Sequence, residues 1–213
     1  MRKFANKKTI RIVELAMLIA LICVLQFTGA SIPLGLIPLT FVLIPIVVGA
    51  FLLGPTEGAI LGFTFGLITV IQTPQNIYLS IFFEAMPVVY VILALLKATM
   101  AGFGSGLIYK GLNKLFKGKF IVLSTTLASI SAPIINTGIF AAGMLLFFSK
   151  ELTALPTITI SSGANAFAGF TNPYQVLFIG FCGFNFIGEF LVSLLLSPAI
   201  VRIVDIVKHK IKK

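Results

Sequence analysis

The stretch CGFNFIGEFLVSLLLSP, Cys182 to Pro198, decides the fold. Its only charged side chain is Glu189, and Asn185 lies one helical turn before it. So apolar a run, continued on both sides by further Phe, Leu, Ile and Val, reads as a membrane-spanning helix. An amide and a carboxylate inside such a helix are costly, and their position asks what they meet there.

The whole chain supports the membrane reading. Its 213 residues are 58% hydrophobic and 10% charged, with a mean hydropathy of +1.11. A soluble domain of that length needs more charge to cover its surface. The apolar runs are continuous and rich in Leu, Ile, Ala and Gly, whereas an outer-membrane barrel requires short alternating segments. The expected class is therefore an all-α integral membrane protein.

Charge sets the expected topology. Of the 16 Lys and Arg, Arg2, Lys3, Lys7, Lys8 and Arg11 precede the first apolar run. Lys110, Lys114, Lys117 and Lys119 flank a central loop, and Arg202, Lys208, Lys210, Lys212 and Lys213 form the tail. Only Lys97 and Lys150 fall elsewhere. The positive-inside rule then makes both termini and the central loop cytoplasmic, which requires an even number of spans. The net charge of +10 is accordingly a topological signal and an attraction to anionic lipid, not a nucleic-acid footprint. Cys23 and Cys182 lie in apolar runs and read as small core residues, and His209 reads as a solvated or lipid-facing side chain in the basic tail. The first apolar run, Ile12 to Phe27, is longer than a secretory signal core and lacks a small-x-small cleavage site, so it is expected to stay on the chain.

Loop signals divide the chain into six spans within a single membrane domain, 1–213, forming a compact bundle. The helices are expected near 8–28, 39–53, 56–71, 87–110, 120–148 and 174–207. GASIPLGLIP, QTPQN and the long SKELTALPTITISSGANAFAGFTNP are outside loops, and LGPTEG is a tight inside turn whose Pro55 opens a helix. The segment IYLSIFFEAM is expected as an outside interfacial or re-entrant piece. Small residues recur at four-residue spacing: Ala16 and Ala20; Gly58, Gly62 and Gly66; Ala98, Gly102 and Gly106; Ala128 and Ala132. In lipid such stripes let helix backbones approach closely. No phosphate loop, HExxH pair, GxSxG elbow or paired acid set occurs, so no catalytic chemistry and no cofactor is expected, and ATP hydrolysis would have to come from another chain.

Four polar residues stand inside spans: Lys97, Asn136, Asn185 and Glu189. Counting from the outer helix ends puts the first three roughly 15 to 18 Å deep, at one level, with Glu189 a turn deeper. Three helices thus converge polar groups beneath the outside loops, as a mostly apolar pocket for a small polar ligand requires. Thr137, Ser129 and Tyr90 can add hydroxyls, and Gln72 and Asn76 can close the pocket from the third outside loop. The same groups admit a ligand-free reading, an interhelical network with Asn136 bonded to Asn185 and Glu189 paired with Lys97.

These features together resemble the substrate-binding S component of energy-coupling factor (ECF) vitamin transporters. The resemblance rests on LGPTEGAILGFTFG at Leu53 to Gly66, on Ala16 and Ala20 in the first helix, and on NFIGEFLVSLLLSPAIVRIV in the last. It implies that Ala16 and Ala20 contact a transmembrane coupling protein, and that two separate ATPase subunits drive the import. It also implies that the S component captures vitamin from outside and topples in the membrane to release it, in a prokaryotic, largely Gram-positive, cell membrane. Asn136 and Thr137, the Asn and Glu of the last helix, and GLIYKGL most resemble the pantothenate subtype, although relatives tend to carry a Pro-Arg pair where this chain has Leu96 and Lys97. Another vitamin, such as riboflavin, folate or niacin, remains an alternative, as does a stand-alone secondary transporter or channel; the latter usually shows inverted repeats, which are absent here.

Overall fold

The computed structural model describes residues 7–28, 31–32, 39–117, 119–157, 167 and 169–211. Arg2, Lys3, Lys212 and Lys213 lie outside the described residues, as do 33–38 of the first loop, 158–166 of the longest loop and the side chains of Lys208, His209 and Lys210. In chain order the helices are α1 (Lys7–Phe27), α2 (Leu43–Leu52), α3 (Pro55–Gln72), α4 (Ile77–Ala85), α5 (Pro87–Leu115), α6 (Ile121–Phe147), α7 (Ser149–Ala154), α8 (Pro173–Gln175) and α9 (Phe184–Ile211). A π-helix, Val176–Gly183, joins α8 to α9. Two residue pairs, β1 (Ser31–Ile32) and β2 (Leu39–Thr40), form a short antiparallel bridge after α1.

Among the described residues, five helical segments are long and apolar enough to cross a membrane: α1, α3, α5, α6 and the rod Pro173–Ile206. The expected second span is shorter than its apolar run, because Leu39 and Thr40 are extended and paired with Ile32 and Ser31. What remains is α2, ten residues, about 15 Å long and half of the ~30 Å hydrocarbon thickness. Its side chains from Leu43 to Phe51 are nearly all buried, so it is a core helix sheltered by the longer ones.

The segment expected as interfacial or re-entrant is a separate helix. Asn76 starts α4 by accepting the Tyr78 and Leu79 amides at 3.1 Å, and Pro87 separates it from α5, because the ring fits only a first helical turn. Phe82 of α4 is fully buried, edge-on to Phe148 and Phe181 with ring centroids 5.6 and 5.7 Å away. The long loop expected outside begins with α7 and a 3₁₀ turn, Leu155–Thr157, rather than as irregular chain. Its Leu152 and Leu155 are buried against the same aromatic cluster.

The glycine stripes mesh with each other. A Cβ on Gly62 would lie 2.1 Å from the Ala98 carbonyl oxygen, one on Gly102 would lie 2.0 Å from the Gly58 carbonyl oxygen, and one on Gly66 would lie 3.0 Å from the Ala94 carbonyl oxygen. The α3 and α5 backbones therefore touch over two turns, and this pair is the most extensively packed in the bundle. Gly54, between α2 and α3, has φ +127°, a conformation that favours glycine. Around that turn Arg11 of α1 donates to the Leu53 carbonyl at 2.7 Å and pairs with Glu57. The start of α1 thus meets the α2–α3 turn at one end of the bundle, where that turn and the Lys110 end of α5 line a cleft of about 280 Å³ through Leu53, Gly54, Pro55, Tyr109 and Lys110.

Gly62→Ala should lower the melting temperature of the purified protein, because overpacking a closed backbone contact costs about 1 to 3 kcal/mol. Gly138→Ala is the control, since a Cβ there meets nothing within 4 Å and helix propensity favours the change. Equal melting of Gly62→Ala and the parent would refute the close contact.

Candidate functional site

A cavity of about 290 Å³ opens at the other end of the bundle. Its polar lining comes from α1 (Gln26), α3 (Thr69, Gln72), the following 3₁₀ turn (Thr73, Gln75), the cap of α4 (Asn76), α5 (Tyr90, Lys97), α6 (Asn136) and α9 (Asn185, Glu189). Leu25, Phe65, Leu79 and Phe140 complete the wall. A cleft lined by eleven polar and four apolar side chains suits a small, polar molecule, and this volume stands at the small end of ligand sites.

The local chain explains why these groups face inward. Lys97 immediately precedes Ala98, whose carbonyl is held against Gly62, so the α3–α5 contact fixes where the lysine points. Its ammonium lies 4.3 Å from the centroid of the Phe140 ring, a favourable cation–π position. Asn136 and Phe140 are four residues apart and share one face of α6. Asn185 and Glu189 share a face of α9 for the same reason, and the π-helix before them sets their rotation. A Cβ on Gly183 would lie 2.5 Å from the Phe178 carbonyl oxygen five residues earlier, so the wide turn requires glycine at that point.

The polar groups are incompletely paired. Asn136 and Glu189 are 6% and 4% exposed, and Asn136 faces the Glu189 carboxyl group. Lys97 and Glu189 line one cavity without an ion pair within 4.0 Å; the lysine rests on Phe140 instead, so the expected Lys97–Glu189 pair of the ligand-free reading does not form. Asn136 Oδ1, Asn185 Oδ1 and Glu189 Oε2 are buried with no hydrogen-bond partner. Native interiors rarely leave such atoms unpaired. Three orphaned acceptors on residues lining one cavity mark a network that a further molecule can complete.

The residues expected from the sequence divide into three sets. Lys97, Asn136, Asn185, Glu189 and Tyr90 line the cavity, with the Tyr90 hydroxyl 3.2 Å from that of Thr73. Gln72 and Asn76 line it too, but with amides already engaged: Gln72 bonds Gln26, and Asn76 caps α4. Thr137 does not line it, nor does Ser129, which donates to the Thr125 carbonyl at 2.8 Å. Thr137 follows Asn136 by one position, about 100° around the helix, which turns it away. Gln26, Thr69, Thr73 and Gln75 are cavity residues that sequence reasoning missed. They lie at helix ends, where a polar side chain ordinarily signals a membrane interface. Cys23 and Cys182 are free thiols, and among the described residues no three His, Cys, Asp or Glu gather to hold a metal.

A helical membrane bundle enclosing a small polar cavity defines a carrier or receptor for a small molecule. The comparisons make it more particular: residues 10–200 match the family described as "ECF transporter, substrate-specific component", and the chain belongs to that family. No curated protein matches the chain significantly. The solved structure of ThiT from Listeria monocytogenes is similar to it, with a TM-score of 0.63 and 19% identity over 95% of this chain and 98% of that one. The two share a fold.

Gly183→Ala tests the π segment by the sign of its effect. Helix propensity alone would stabilise the chain by up to about 1 kcal/mol, whereas the crowded Phe178 carbonyl should make the variant melt below the parent. A variant melting above the parent would remove the π segment from the site.

Proposed function

We propose that this chain is the high-affinity vitamin-binding subunit of an ECF importer and that its vitamin is pantothenate. The observation that carries the reading is one ammonium group, Lys97, set among amides and hydroxyls in a cavity of about 290 Å³. Pantothenate offers a carboxylate for Lys97 and an amide and two hydroxyls for Asn136, Asn185 and Glu189, whose buried acceptors lack partners. Thiamine, suggested by the fold shared with ThiT, is the strongest competitor. It would bring a second positive charge beside Lys97, and its rings would compete with that lysine for the Phe140 face. Riboflavin and folate are larger than a cavity of this volume readily holds, and niacin would use few of its polar groups.

In this reading the protein is a multi-pass component of a prokaryotic, Gram-positive cell membrane, with six membrane helices and cytoplasmic termini, α2 being the short one. It captures the vitamin from outside, docks on a transmembrane coupling protein served by two ATPase subunits, and topples to release the ligand inward. The surface of α1 supports docking. Ala16 and Ala20 are exposed, and Ile12, Val13, Met17, Leu21, Val24 and Phe27 beside them are at least 45% exposed.

Equilibrium binding of the purified protein to pantothenate, thiamine, riboflavin, folate and niacin tests the vitamin. Pantothenate should bind tightest, and Lys97→Met should weaken it more than any uncharged competitor. Tighter thiamine binding would replace the assignment. Asn136→Ala and Asn185→Ala should each weaken binding by about 1 to 3 kcal/mol, the cost of leaving a polar partner unpaired, or roughly 5- to 150-fold in Kd. Parental affinity in both variants would move the site elsewhere. Ala16→Trp should keep vitamin affinity but lose co-purification with the coupling protein; intact complexes would exclude α1 as the docking helix.

A further inference from the structure

We propose that α1 is the door of the cavity, hinged at Arg11 and held shut by a clasp between Gln26 and Gln72; the vitamin-release arm of this proposal rests on the reading of the cavity given above. The helix is attached unevenly. Ile22 is the only fully buried residue among its described side chains, and most of its length is exposed. Among the described residues, polar ties to other helices stand at its two ends, with an apolar seam through Leu15, Leu18, Ile19, Ile22, Cys23 and Leu25 between them. At the basic end Arg11 donates to the Leu53 carbonyl and pairs with Glu57, which anchors it to the α2–α3 turn by charge-assisted bonds. At the cavity end Gln26 Nε2 donates to Gln72 Oε1 at 2.7 Å, and Gln72 Nε2 donates to the Gln26 carbonyl at 3.1 Å.

The clasp is the weaker attachment. It joins neutral amides, and it leaves Gln26 Oε1 buried without a partner. Closing the clasp gains two hydrogen bonds and strands one acceptor, so at the cavity end α1 is held mainly by the apolar packing of Ile22, Cys23 and Leu25, with the clasp adding little. Only Leu25 and Gln26, in the last turn of α1, reach the cavity wall. Fifteen residues separate Arg11 from Gln26, a lever of about 22 Å, so a swing of about 10° about the anchor carries Gln26 about 4 Å from α3. A bound molecule that donates a hydrogen bond to Gln26 Oε1 would complete the set and hold the door closed, which makes Gln26 a ligand-sensing residue.

Thiol labelling without any vitamin tests the door directly. In a Cys23→Ala, Cys182→Ala background, Thr69→Cys on the cavity wall reports access to a small, charged methanethiosulfonate reagent. Gln26→Leu and Gln72→Leu should each speed its reaction about tenfold, and the double variant no further, since both remove one clasp. A Ser105→Cys reporter, fully buried on α5, should stay unreactive. Unchanged rates at Thr69→Cys, additive effects, or equal acceleration at Ser105→Cys would overturn the proposal. In the second arm, Gln26→Cys and Gln72→Cys joined by a short bismaleimide should release preloaded radiolabelled pantothenate at least tenfold more slowly than the unbridged protein. Equal release would refute the door. If the parent binds no pantothenate, the vitamin assignment fails alone and the labelling arm still decides whether α1 opens.

Discussion

The contact between α3 and α5 is the constraint on which the rest depends. Gly58, Gly62 and Gly66 meet the carbonyls and backbone of Gly102, Ala98 and Ala94 with no space for a Cβ on the glycine side. In a bilayer apolar side chains gain nothing by leaving lipid for a neighbouring helix, so tight backbone packing has to hold helices together. The same contact sets the register of the cavity wall. Lys97 precedes Ala98, Tyr90 lies two turns earlier, and Thr69 and Thr73 continue α3 beyond Gly66. Shifting α3 against α5 by one turn would separate these groups.

The polar groups inside that frame are expensive, and the fold compensates them only in part. Lys97 rests on the Phe140 ring and makes no ion pair with Glu189 within 4.0 Å, which leaves its donor hydrogens available within the cavity. Asn136, Asn185 and Glu189 keep unpaired acceptors, unlike the hydroxyls of Thr69, Thr73, Ser105 and Ser129, which bond carbonyls in their own helices. Structural glue satisfies itself. Unpaired buried atoms occur singly elsewhere, as at Ser124, but among the described residues this cavity gathers Asn136, Asn185 and Glu189 together.

Much of the site was legible because depth in a membrane helix follows from residue counts. Lys97, Asn136 and Asn185 sit at one counted level, and each lines the cavity. Counting along an axis is blind to rotation, so it offered Thr137 together with Asn136. It is also blind to a change of helix type, so it missed the π-helix that turns Asn185 and Glu189. Gln26 looked like an interfacial side chain because its partner, Gln72, lies 46 residues away. Likewise Pro87 marked a break, yet only Asn76 capping α4 and Phe82 docking in the aromatic cluster made the preceding segment a helix of its own.

The sequence by itself determined the class, the helical membrane-spanning runs, the glycine and alanine stripes and the family pattern, because hydropathy, charge placement and small-residue spacing are local properties. Tertiary structure alone decided that α2 is a short buried helix, that the stripes of α3 and α5 face each other, that Lys97 rests on Phe140, and that α1 is fastened to the bundle by an apolar seam around Ile22, with Arg11 at one end and two glutamines at the other. Those outcomes depend on which faces meet and at what rotation, and a residue's neighbours across a helix interface are fixed by packing rather than by its place in the chain.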